Sequence, residues 1–247
     1  MMHHSTQDYS LLDWDSKFFG FNVAIIHHNN LPVSRLKELL ITLKKKDVRL
    51  VYWPAASTID LSMEQLKNLN GLLVDKKITF KIPLNRFKGS LCANAHLIER
   101  YNPSIPFTNL ESLAIQCGEY SRYAVDPKIP KKKFIQLYSL WIEKSVTKQI
   151  ADEVLILRKD TFIQALITLK KNKNSDTGKI GLLVVDKKYR GQGLGEQLIH
   201  SALQWFQTFN LKYVTVDTQG ENSAACCFYQ KCGFFVESVV NFYHFWI

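Results

Sequence analysis

The sequence predicts a mixed α/β fold, in which a small α/β unit precedes a larger one. Residues 11–84 alternate strand and helix patterns in the order β-α-β-α-β. Residues 179–209 read as an apolar strand, a glycine-rich loop and an amphipathic helix. With 247 residues, of which 46% are hydrophobic, the chain is long enough to fill the cores of two units.

The first unit is predicted from its periodicities, and a polar, proline-containing segment over 85–112 is predicted to connect it to the second. We therefore place a first domain at 1–112 and a second at 113–247. The predicted elements of the first unit are a strand over 21–27, a helix from Pro32, a strand over 48–53, a helix over 59–70 and a strand over 72–83.

The second unit is predicted to continue the alternation of strands and helices. No internal repeat and no low-complexity segment interrupts it. Its predicted elements are a strand within 113–125, a helix from Phe134 towards Ile150, strands over 153–157, 162–169 and 179–185, a helix from Leu194, a strand over 213–218, a helix over 223–231, and strands over 234–240 and 241–246.

The glycine loop predicts a phosphate site. Glycines let several backbone N–H groups point at one spot, and the start of the following helix adds partial positive charge. Glu196 follows Gly195, which excludes a Gly-Lys-Ser/Thr loop for nucleoside triphosphates, and the third glycine comes one position too early for a dinucleotide fold. A glycine-rich turn without a ligand is the alternative. The predicted phosphate-binding residues are Arg190, Gly191, Gln192, Gly193, Leu194 and Gly195.

Composition and motif content restrict the partners, metals and location that we expect for this protein. The net charge of +10 is spread along the chain, and recognised nucleic-acid motifs are absent, so we expect anionic substrates and no nucleic-acid partner. Five cysteines without C-x-x-C, and histidines without H-E-x-x-H spacing, predict no metal. No stretch approaches the roughly 18 apolar residues of a membrane helix. An odd cysteine count without a signal peptide predicts free thiols and a cytoplasmic location.

The order of elements and the motif R-x-x-G-x-G at Arg190, Gly193 and Gly195 resemble the GNAT superfamily of N-acetyltransferases. The resemblance implies a mixed, mostly antiparallel sheet and acetyl-CoA as co-substrate. It also implies that a distorted strand pairs with the pantetheine arm and directs a backbone N–H at the thioester oxygen. The strand residues concerned are Leu183, Val184 and Val185.

A second set of motifs spans nearly the whole chain: Trp14, Ser16 and Phe18–Gly20, Gly118–Tyr123 with Asp126-Pro127, Leu137-Tyr138, Trp141-Ile142 and Ser145, and Thr218-Gln219, Asn222, Ala224-Ala225, Tyr229, Gly233 and Val236–Ser238. These motifs resemble the dTDP-fucosamine acetyltransferase family, which is a closer resemblance than the first. It implies acetylation of the 4-amino group of a dTDP-linked 4-amino-4,6-dideoxyhexose for surface polysaccharide, and a homodimer. Lys187 replaces a proline of many relatives, and Cys226-Cys227 is not typical of them.

The same resemblance suggests roles for side chains in the last helix. Tyr229 is the candidate general acid, because a phenol with a pKa of about 10 is protonated at neutral pH. A core tyrosine on an amphipathic helix is the alternative. Asn222, at the start of that helix, is predicted to cap it or to bond the pantetheine arm.

The base and the acceptor contacts are left open by the sequence. Asp75, Glu119 or a water chain could take the proton of the amine. Tyr120 could stack on thymine and Arg122 could bind phosphate, although Arg122 could instead form a salt bridge to Glu119 or Asp126. Two rival functions also stay open: a GNAT enzyme acting on a protein N-terminus or small amine, and a non-catalytic module that binds CoA or nucleic acid.

Overall fold

The computed structural model describes residues 8–87 and 98–247, without the side chain of Thr108. The predicted connection over 85–112 therefore falls in part on residues outside the described ranges. The strands and helices are, in chain order, β1 (Tyr9–Leu11), α1 (Asp13–Phe19), β2 (Asn22–Ile26), α2 (Val33–Lys44), β3 (Val48–Ala56), α3 (Met63–Asn68), β4 (Gly71–Pro83), β5 (Ile98–Arg100), α4 (Phe107–Cys117), α5 (Arg122–Val125), α6 (Lys131–Val146), β6 (Glu153–Lys159), β7 (Phe162–Lys171), β8 (Thr177–Val185), α7 (Leu194–Gln207), β9 (Tyr213–Gln219), α8 (Ser223–Lys231) and β10 (Phe235–Trp246).

In the described ranges, ten strands form one sheet in the order β1-β2-β3-β10-β4-β9-β8-β7-β6-β5. Only the pairs β2–β3 and β8–β9 are parallel among these strands. The predicted mixed, mostly antiparallel sheet is therefore confirmed.

The strand β10 lies between β3 and β4, and so joins early and late parts of the chain. Its residues pair with β3 on one side and with β4 on the other, for example Phe242 with Pro54 and with Asp75. The predicted domain boundary at residues 112 and 113 falls inside α4. Division of the chain at that point stays a prediction, but the sheet itself runs through both predicted units.

The predicted strand within 113–125 is wrong, because this segment belongs to α4 and α5. Leu110, Leu113 and Ala114 are fully buried at the i, i+3, i+4 spacing of one helix face. A short apolar run fits a buried strand and a buried helix equally well, so its period could not separate them. The two strands predicted over 234–246 are also a single strand, β10, with irregular register near each end.

Helices cover both faces of the sheet. Along β6, Leu155 and Leu157 pack in a cluster with α7, while Val154 and Ile156 pack in another with α4 and α6. This alternation follows from the period of two in a strand. The two faces of the sheet therefore have separate cores. The site described below lies where the neighbouring strands β8 and β9 separate.

Candidate active site

The strands β8 and β9 run together and then separate. Their parallel pairing covers only Thr177–Ile180 on β8. Beyond that point β8 stays paired with β7, while the end of β9 pairs with β4. The carboxyl half of β8, which includes the predicted residues Leu183, Val184 and Val185, thus borders a gap in the sheet where an extended ligand can take the place of a strand.

A bulge deforms β8 at the point of separation. The register against β7 shifts between Leu169–Ile180 and Ile167–Leu183, so β8 holds one extra residue there. The Leu182 N–H donates to the Thr168 hydroxyl, at 2.8 Å, instead of to the ladder. A side chain at Gly181 would place its Cβ atom 2.7 Å from that hydroxyl oxygen, so glycine is needed for this contact.

The predicted phosphate loop follows β8 and is open to solvent. Residues 190–193 are exposed, and Gly191 and Gly193 both have φ of +77°. Gly193 is the N-cap of α7 in a left-handed conformation that side chains other than glycine rarely adopt. No atom lies within 4 Å of where a Cβ atom of Gly191 or Gly193 would be. Backbone N–H groups at a helix start with free space in front of them suit an anion.

Four contacts fix the entry to this loop. Asp186 accepts from the Lys188 N–H and from the Gln116 side chain, at 2.9 and 3.2 Å. The Lys187 ammonium lies 2.6 Å from Glu119. The Arg190 Nε donates to the Val185 carbonyl at 3.1 Å. Glu119 is therefore held in an ion pair beside the loop, which weakens the prediction that it acts as a base.

Gly195 has a packing role in addition to the predicted ligand role. Its Cβ position lies 3.1 Å from the Phe228 ring, so α7 approaches α8 closely at this residue. The neighbouring residue Leu194 packs against the core beneath α7. Both residues thus hold the start of α7 in place behind the exposed part of the loop.

Tyr229 projects from α8 into the core beside β8. It is 6% exposed, among the rings of Phe80, Phe228 and Phe234. Leu183 and Val185 pack against the same cluster. Burial raises the pKa of Tyr229 well above its ordinary value, so the hydroxyl is protonated at neutral pH.

Asn222 caps the helix that carries this tyrosine. Its side chain accepts from the Ala225 N–H at 3.1 Å, as the capping alternative predicted. The exposed start of α8 lies next to the end of β9, at the other border of the gap.

Cys117, at the end of α4, also contacts this strand. Its thiol donates to the Leu183 carbonyl at 3.5 Å. Burial raises the pKa of Cys117 to about 11, so it is a neutral thiol and not a nucleophile at neutral pH. Sequence reasoning had no signal for this contact, because a lone cysteine in an apolar run has no motif.

Arg122 lies in a cage of aromatic rings. Its Cζ atom is 4.1 Å from the ring centroid of Tyr52, 4.4 Å from that of Phe242 and 4.6 Å from that of Tyr123. Neither predicted salt bridge forms in the described residues, because Glu119 pairs with Lys187, and Asp126 with His244. Cation–π contacts hold the guanidinium instead.

Asp75 lies beside this cage. It pairs with Phe242 across β4 and β10, and directly opposed residues in a sheet point to the same face. Burial raises the pKa of Asp75 to about 7, against the opposing charges of Arg122 and Lys77, and nearby Asp217 raises it further. The structure therefore brings together two of the three predicted acceptor residues, Asp75 and Arg122. The third, Tyr120, is 46% exposed in the turn between α4 and α5.

Four residues around Arg122 and Asp75 were not predicted from the sequence to be part of the site: Asp15, Tyr52, Phe242 and His244. Asp15 of α1 accepts from the Tyr52 hydroxyl at 3.3 Å, and burial raises the pKa of Asp15. His244 stacks on Tyr52, with ring centroids 4.8 Å apart. The ring of Phe242 contacts the rings of Tyr52 and His244 and also the Arg122 guanidinium. Asp15 lies inside the W-x-S-x-F-F-G motif, which was a usable signal, whereas the other three carried none.

Two further observations concern partners. In residues 8–87 and 98–247, no three His, Cys, Asp or Glu side chains are arranged to hold a metal ion. None of the helices in these ranges combines the length and apolarity that a bilayer crossing demands.

Known proteins resemble this chain in sequence and fold. The sequence profile of the acetyltransferase (GNAT) family matches residues 133–234. The dTDP-fucosamine acetyltransferase of Escherichia coli O6:H1 is 27% identical over 228 residues, which are 92% of this chain and 93% of that protein. N-alpha-acetyltransferase 30 of Schizosaccharomyces pombe is 28% identical over 107 residues, covering 42% of this chain and 71% of its own. A GCN5-related N-acetyltransferase from Sphaerobacter thermophilus has a TM-score of 0.58 at 11% identity, with 96% of this chain and 75% of that chain covered.

The profile match begins in α6 and ends just beyond α8, so it contains the bulged strand, the glycine loop and Tyr229. The solved structure shares the fold over nearly the whole chain. The predicted resemblance to the GNAT superfamily is thus confirmed, with residues 133–234 matching an acetyltransferase domain of that family.

Proposed function

We propose that the protein transfers the acetyl group of acetyl-CoA to the 4-amino group of a dTDP-linked 4-amino-4,6-dideoxyhexose. The observation that carries acetyl transfer is the bulged end of β8, which borders a gap in the sheet and leads directly into an open glycine loop. The acceptor class is supported by the relative named for dTDP-fucosamine, which aligns with 92% of this chain.

The residues around the gap fit acetyl-CoA. Arg190 and the backbone N–H groups of residues 191–195 would hold its pyrophosphate at the start of α7. The carboxyl half of β8, from Leu183 to Val185, would pair with the peptide-like pantetheine arm, and Asn222 lies at the far border. When bound, acetyl-CoA supplies an acetyl group activated as a thioester. A backbone N–H at the bulge would stabilise the charge that develops on the carbonyl oxygen, a contribution of a few kcal/mol in comparable sites.

Two side chains of this protein would move the protons. A sugar amine arrives as an ammonium ion, and Asp75, whose pKa is about 7, accepts its proton. The amine nitrogen then bonds to the acetyl carbon while the carbon–sulfur bond breaks. Tyr229, kept protonated by burial, donates its hydroxyl proton to the departing sulfur, and the second proton lost by the acylated nitrogen restores the phenol.

Arg122 is proposed to bind the acceptor. It lies next to Asp75 and on the side of the sheet covered by α5. The exposed ring of Tyr120 is available to stack on the thymine base. The homodimer implied by the resemblance stays a prediction, which analytical ultracentrifugation would measure.

A panel of acceptors tests this proposal through acetyl-CoA-dependent release of thiol. The panel holds dTDP-linked 4-amino sugars of both C4 epimers, UDP-linked amino sugars, a polyamine and a peptide with a free N-terminus. A reaction without acceptor corrects for the five cysteines of the protein. We expect turnover only on a dTDP-linked 4-amino sugar.

Acetylation of the peptide alone would favour a second candidate, acetylation of protein N-termini. The relative named N-alpha-acetyltransferase 30 supports that candidate over 42% of the chain. Tight binding of acetyl-CoA without turnover of any acceptor would instead favour a non-catalytic binding module.

A further inference from the structure

Three buried polar atoms around the ring of Phe242 have no hydrogen-bond partner in the described residues: Nη1 of Arg122, Oδ1 of Asp75 and Nε2 of His244. Arg122 lies over the Phe242 ring, and Asp75 is the cross-strand partner of Phe242. His244 follows two positions later on β10 and therefore points to the same face. Since buried polar groups are nearly always paired in proteins, these three atoms call for a partner from outside the chain, either water or a ligand.

The hydrogen-bonding character of each atom follows from its other contacts. The Arg122 Nη2 already donates to the Tyr123 hydroxyl, which leaves Nη1 as a free donor. The Nδ1 atom of His244 lies 2.7 Å from Asp126. Although burial raises the pKa of Asp126, hydrogen bonds from His244, Trp246 and the Lys128 N–H hold it below its ordinary value.

An ionised carboxylate only accepts, so Nδ1 of His244 carries the hydrogen and Nε2 is a free acceptor. Burial lowers the pKa of His244 to about 4, which keeps the ring neutral. Asp75 adds a second acceptor, so the cluster offers one donor and two acceptors.

A ligand that pairs all three atoms must present two donors and one acceptor on neighbouring atoms. An amine with a hydroxyl group on the next carbon does so. Its amine donates to Asp75, and its hydroxyl accepts from Arg122 while donating to His244. Asp75 and Arg122 are only part-buried as residues, whereas His244 is fully buried, so a ligand would approach the cluster from the side of Asp75 and Arg122.

We propose that Arg122 and His244 recognise a hydroxyl group vicinal to the acceptor amine, so that the substrate class of this enzyme is a cyclic vicinal amino alcohol. This inference rests on the proposed acetyl transfer and specifies what the acceptor must carry. His244 and Arg122 set specificity, and Asp126 is a positioning residue that fixes the tautomer of His244.

Two matched pairs of acceptors test the inference with the full-length protein. The first pair is dTDP-4-amino-4,6-dideoxygalactose and its 3-deoxy analogue, which lacks the hydroxyl next to the amine. The second pair is 2-aminocyclohexanol and cyclohexylamine, which carry no nucleotide. We expect loss of the hydroxyl to lower kcat/KM by about 100-fold or more, because Arg122 and His244 are then left unpaired in the complex.

The variants His244→Phe and Arg122→Lys test the two residues separately. Each should reduce the discrimination within a pair to about 10-fold or less, since one of two contacts to the hydroxyl is gone. His200→Phe is the matched control: this histidine on α7 also has a buried ring nitrogen without a partner in the described residues, but it lies against Phe87 and away from the cluster. An acetyl-CoA affinity equal to that of the wild type, measured by calorimetry, shows that a variant is folded. If His244→Phe does not fold, Arg122→Lys alone tests the inference.

The outcomes separate this inference from the proposed function. Acetylation of 2-aminocyclohexanol but not of cyclohexylamine, without turnover of any nucleotide sugar, would support vicinal recognition and reject the nucleotide sugar. Turnover of the 3-deoxy sugar within about threefold of its parent would overturn vicinal recognition and leave the proposed function intact. Failure to acetylate any vicinal amino alcohol would overturn the inference as well.

Discussion

Burial raises the pKa of both side chains proposed to move protons, and it suits one of them to act as an acid and the other to act as a base. A buried phenol keeps its hydrogen, so the raised pKa of Tyr229 preserves an acid. A buried carboxyl group also keeps its hydrogen more readily, which brings the pKa of Asp75 to about 7 and makes it a base of useful strength near neutral pH. The same physical effect therefore suits each residue to a different half of the reaction.

Replacing Tyr229 with phenylalanine removes the proton donor and leaves the surrounding packing intact. We expect kcat to fall by about 10²–10⁴, the usual contribution of a positioned general acid, with little change in acetyl-CoA affinity. Steady-state thiol release and calorimetry measure the two quantities. Tyr101→Phe is the control, since that hydroxyl bonds the Ile105 carbonyl and should leave kcat unchanged. Wild-type turnover in Tyr229→Phe would exclude it as the acid.

The raised pKa of Asp75 predicts how rate depends on pH. A base must be deprotonated to act, so kcat/KM should fall as pH drops below about 7. Asp75→Asn should lower kcat/KM and abolish this limb of the profile. Asp217→Asn should keep the limb but move it to lower pH, because the charge of Asp217 raises the pKa of Asp75. An unchanged limb in Asp75→Asn would assign the base elsewhere.

The same shift predicts a change in stability. The folded pKa of Asp75 lies above its unfolded value of about 3.9, so the wild type loses stability as pH rises from roughly 4 to 7. The amide that replaces this carboxyl group in Asp75→Asn does not titrate. The Tm of Asp75→Asn relative to wild type should therefore be higher at pH 8 than at pH 4, as measured by calorimetry. A Tm difference independent of pH would mean that the carboxyl group titrates normally.

For single residues, the sequence predicted the roles that depend on neighbours in the chain, and it missed the roles that depend on residues distant in the chain. Asn222 precedes an amphipathic helix, and its cap could be read from that position. Arg122 is surrounded by rings from β3 and β10, far away in the chain, so no local pattern could show that it would form cation–π contacts instead of a salt bridge.

Among the elements, β8 depends on one side chain of its neighbour for its shape. Thr168 is 2% exposed. Its hydroxyl oxygen accepts a hydrogen bond from the Leu182 N–H, which the bulge removes from the hydrogen bonds between β7 and β8. Thr168→Val should leave this N–H buried without a partner and destabilise the fold by about 1–3 kcal/mol, with a loss of kcat. Thr168→Ser keeps the hydroxyl and is the control. Equal urea midpoints for the two variants would mean that this hydrogen bond does not stabilise the bulge.

The start of α7 provides a test of the loop. Gly193→Val places a β-branched side chain at φ of +77°, in the space proposed for the pyrophosphate, and should weaken acetyl-CoA binding. Gly20→Val bears a similar backbone strain, with φ of +82°, at the end of α1. It should lower Tm but keep acetyl-CoA affinity, measured by calorimetry. Equal affinity in both variants would contradict the loop assignment.

The elements that the sequence predicted well have apolar residues at a clear helical or strand spacing, and turn or capping residues at their ends. The helix over 223–231 is reproduced by α8, and the predicted strands over 153–157, 162–169 and 213–218 lie within β6, β7 and β9. The segment 113–125 failed because its apolar run is too short to reveal a period. The helix α1 was not predicted, since it has only seven residues and none of them is fully buried.

The molecule as a whole is joined by β10, whose residues pair with both β3 and β4. We therefore expect the described ranges to unfold together. Hydrogen exchange in urea, followed by mass spectrometry, should give one midpoint for peptides from β3 and from β8. Two separated midpoints would instead support two independent domains divided near residue 112.

Phe245→Ala tests the same connection by mutation. Phe245 is fully buried beside Trp53 and Tyr243, so its truncation should destabilise the protein by about 3–5 kcal/mol. The loss should appear equally in peptides of β3 and β8. Phe209→Ala, at a ring that is 42% exposed, is the control and should cost much less.

The position of β10 also sets the order in which the sheet can be completed during translation. Until β10 is made, β3 and β4 have no partner strand between them, and each exposes an unpaired backbone edge. At about 5–20 residues per second, the ribosome needs roughly 8–30 s to synthesise the chain between Pro83 and Phe235. The first third of the protein thus leaves the ribosome as an incomplete template, and a nascent-chain chaperone that covers strand edges would protect it during that interval.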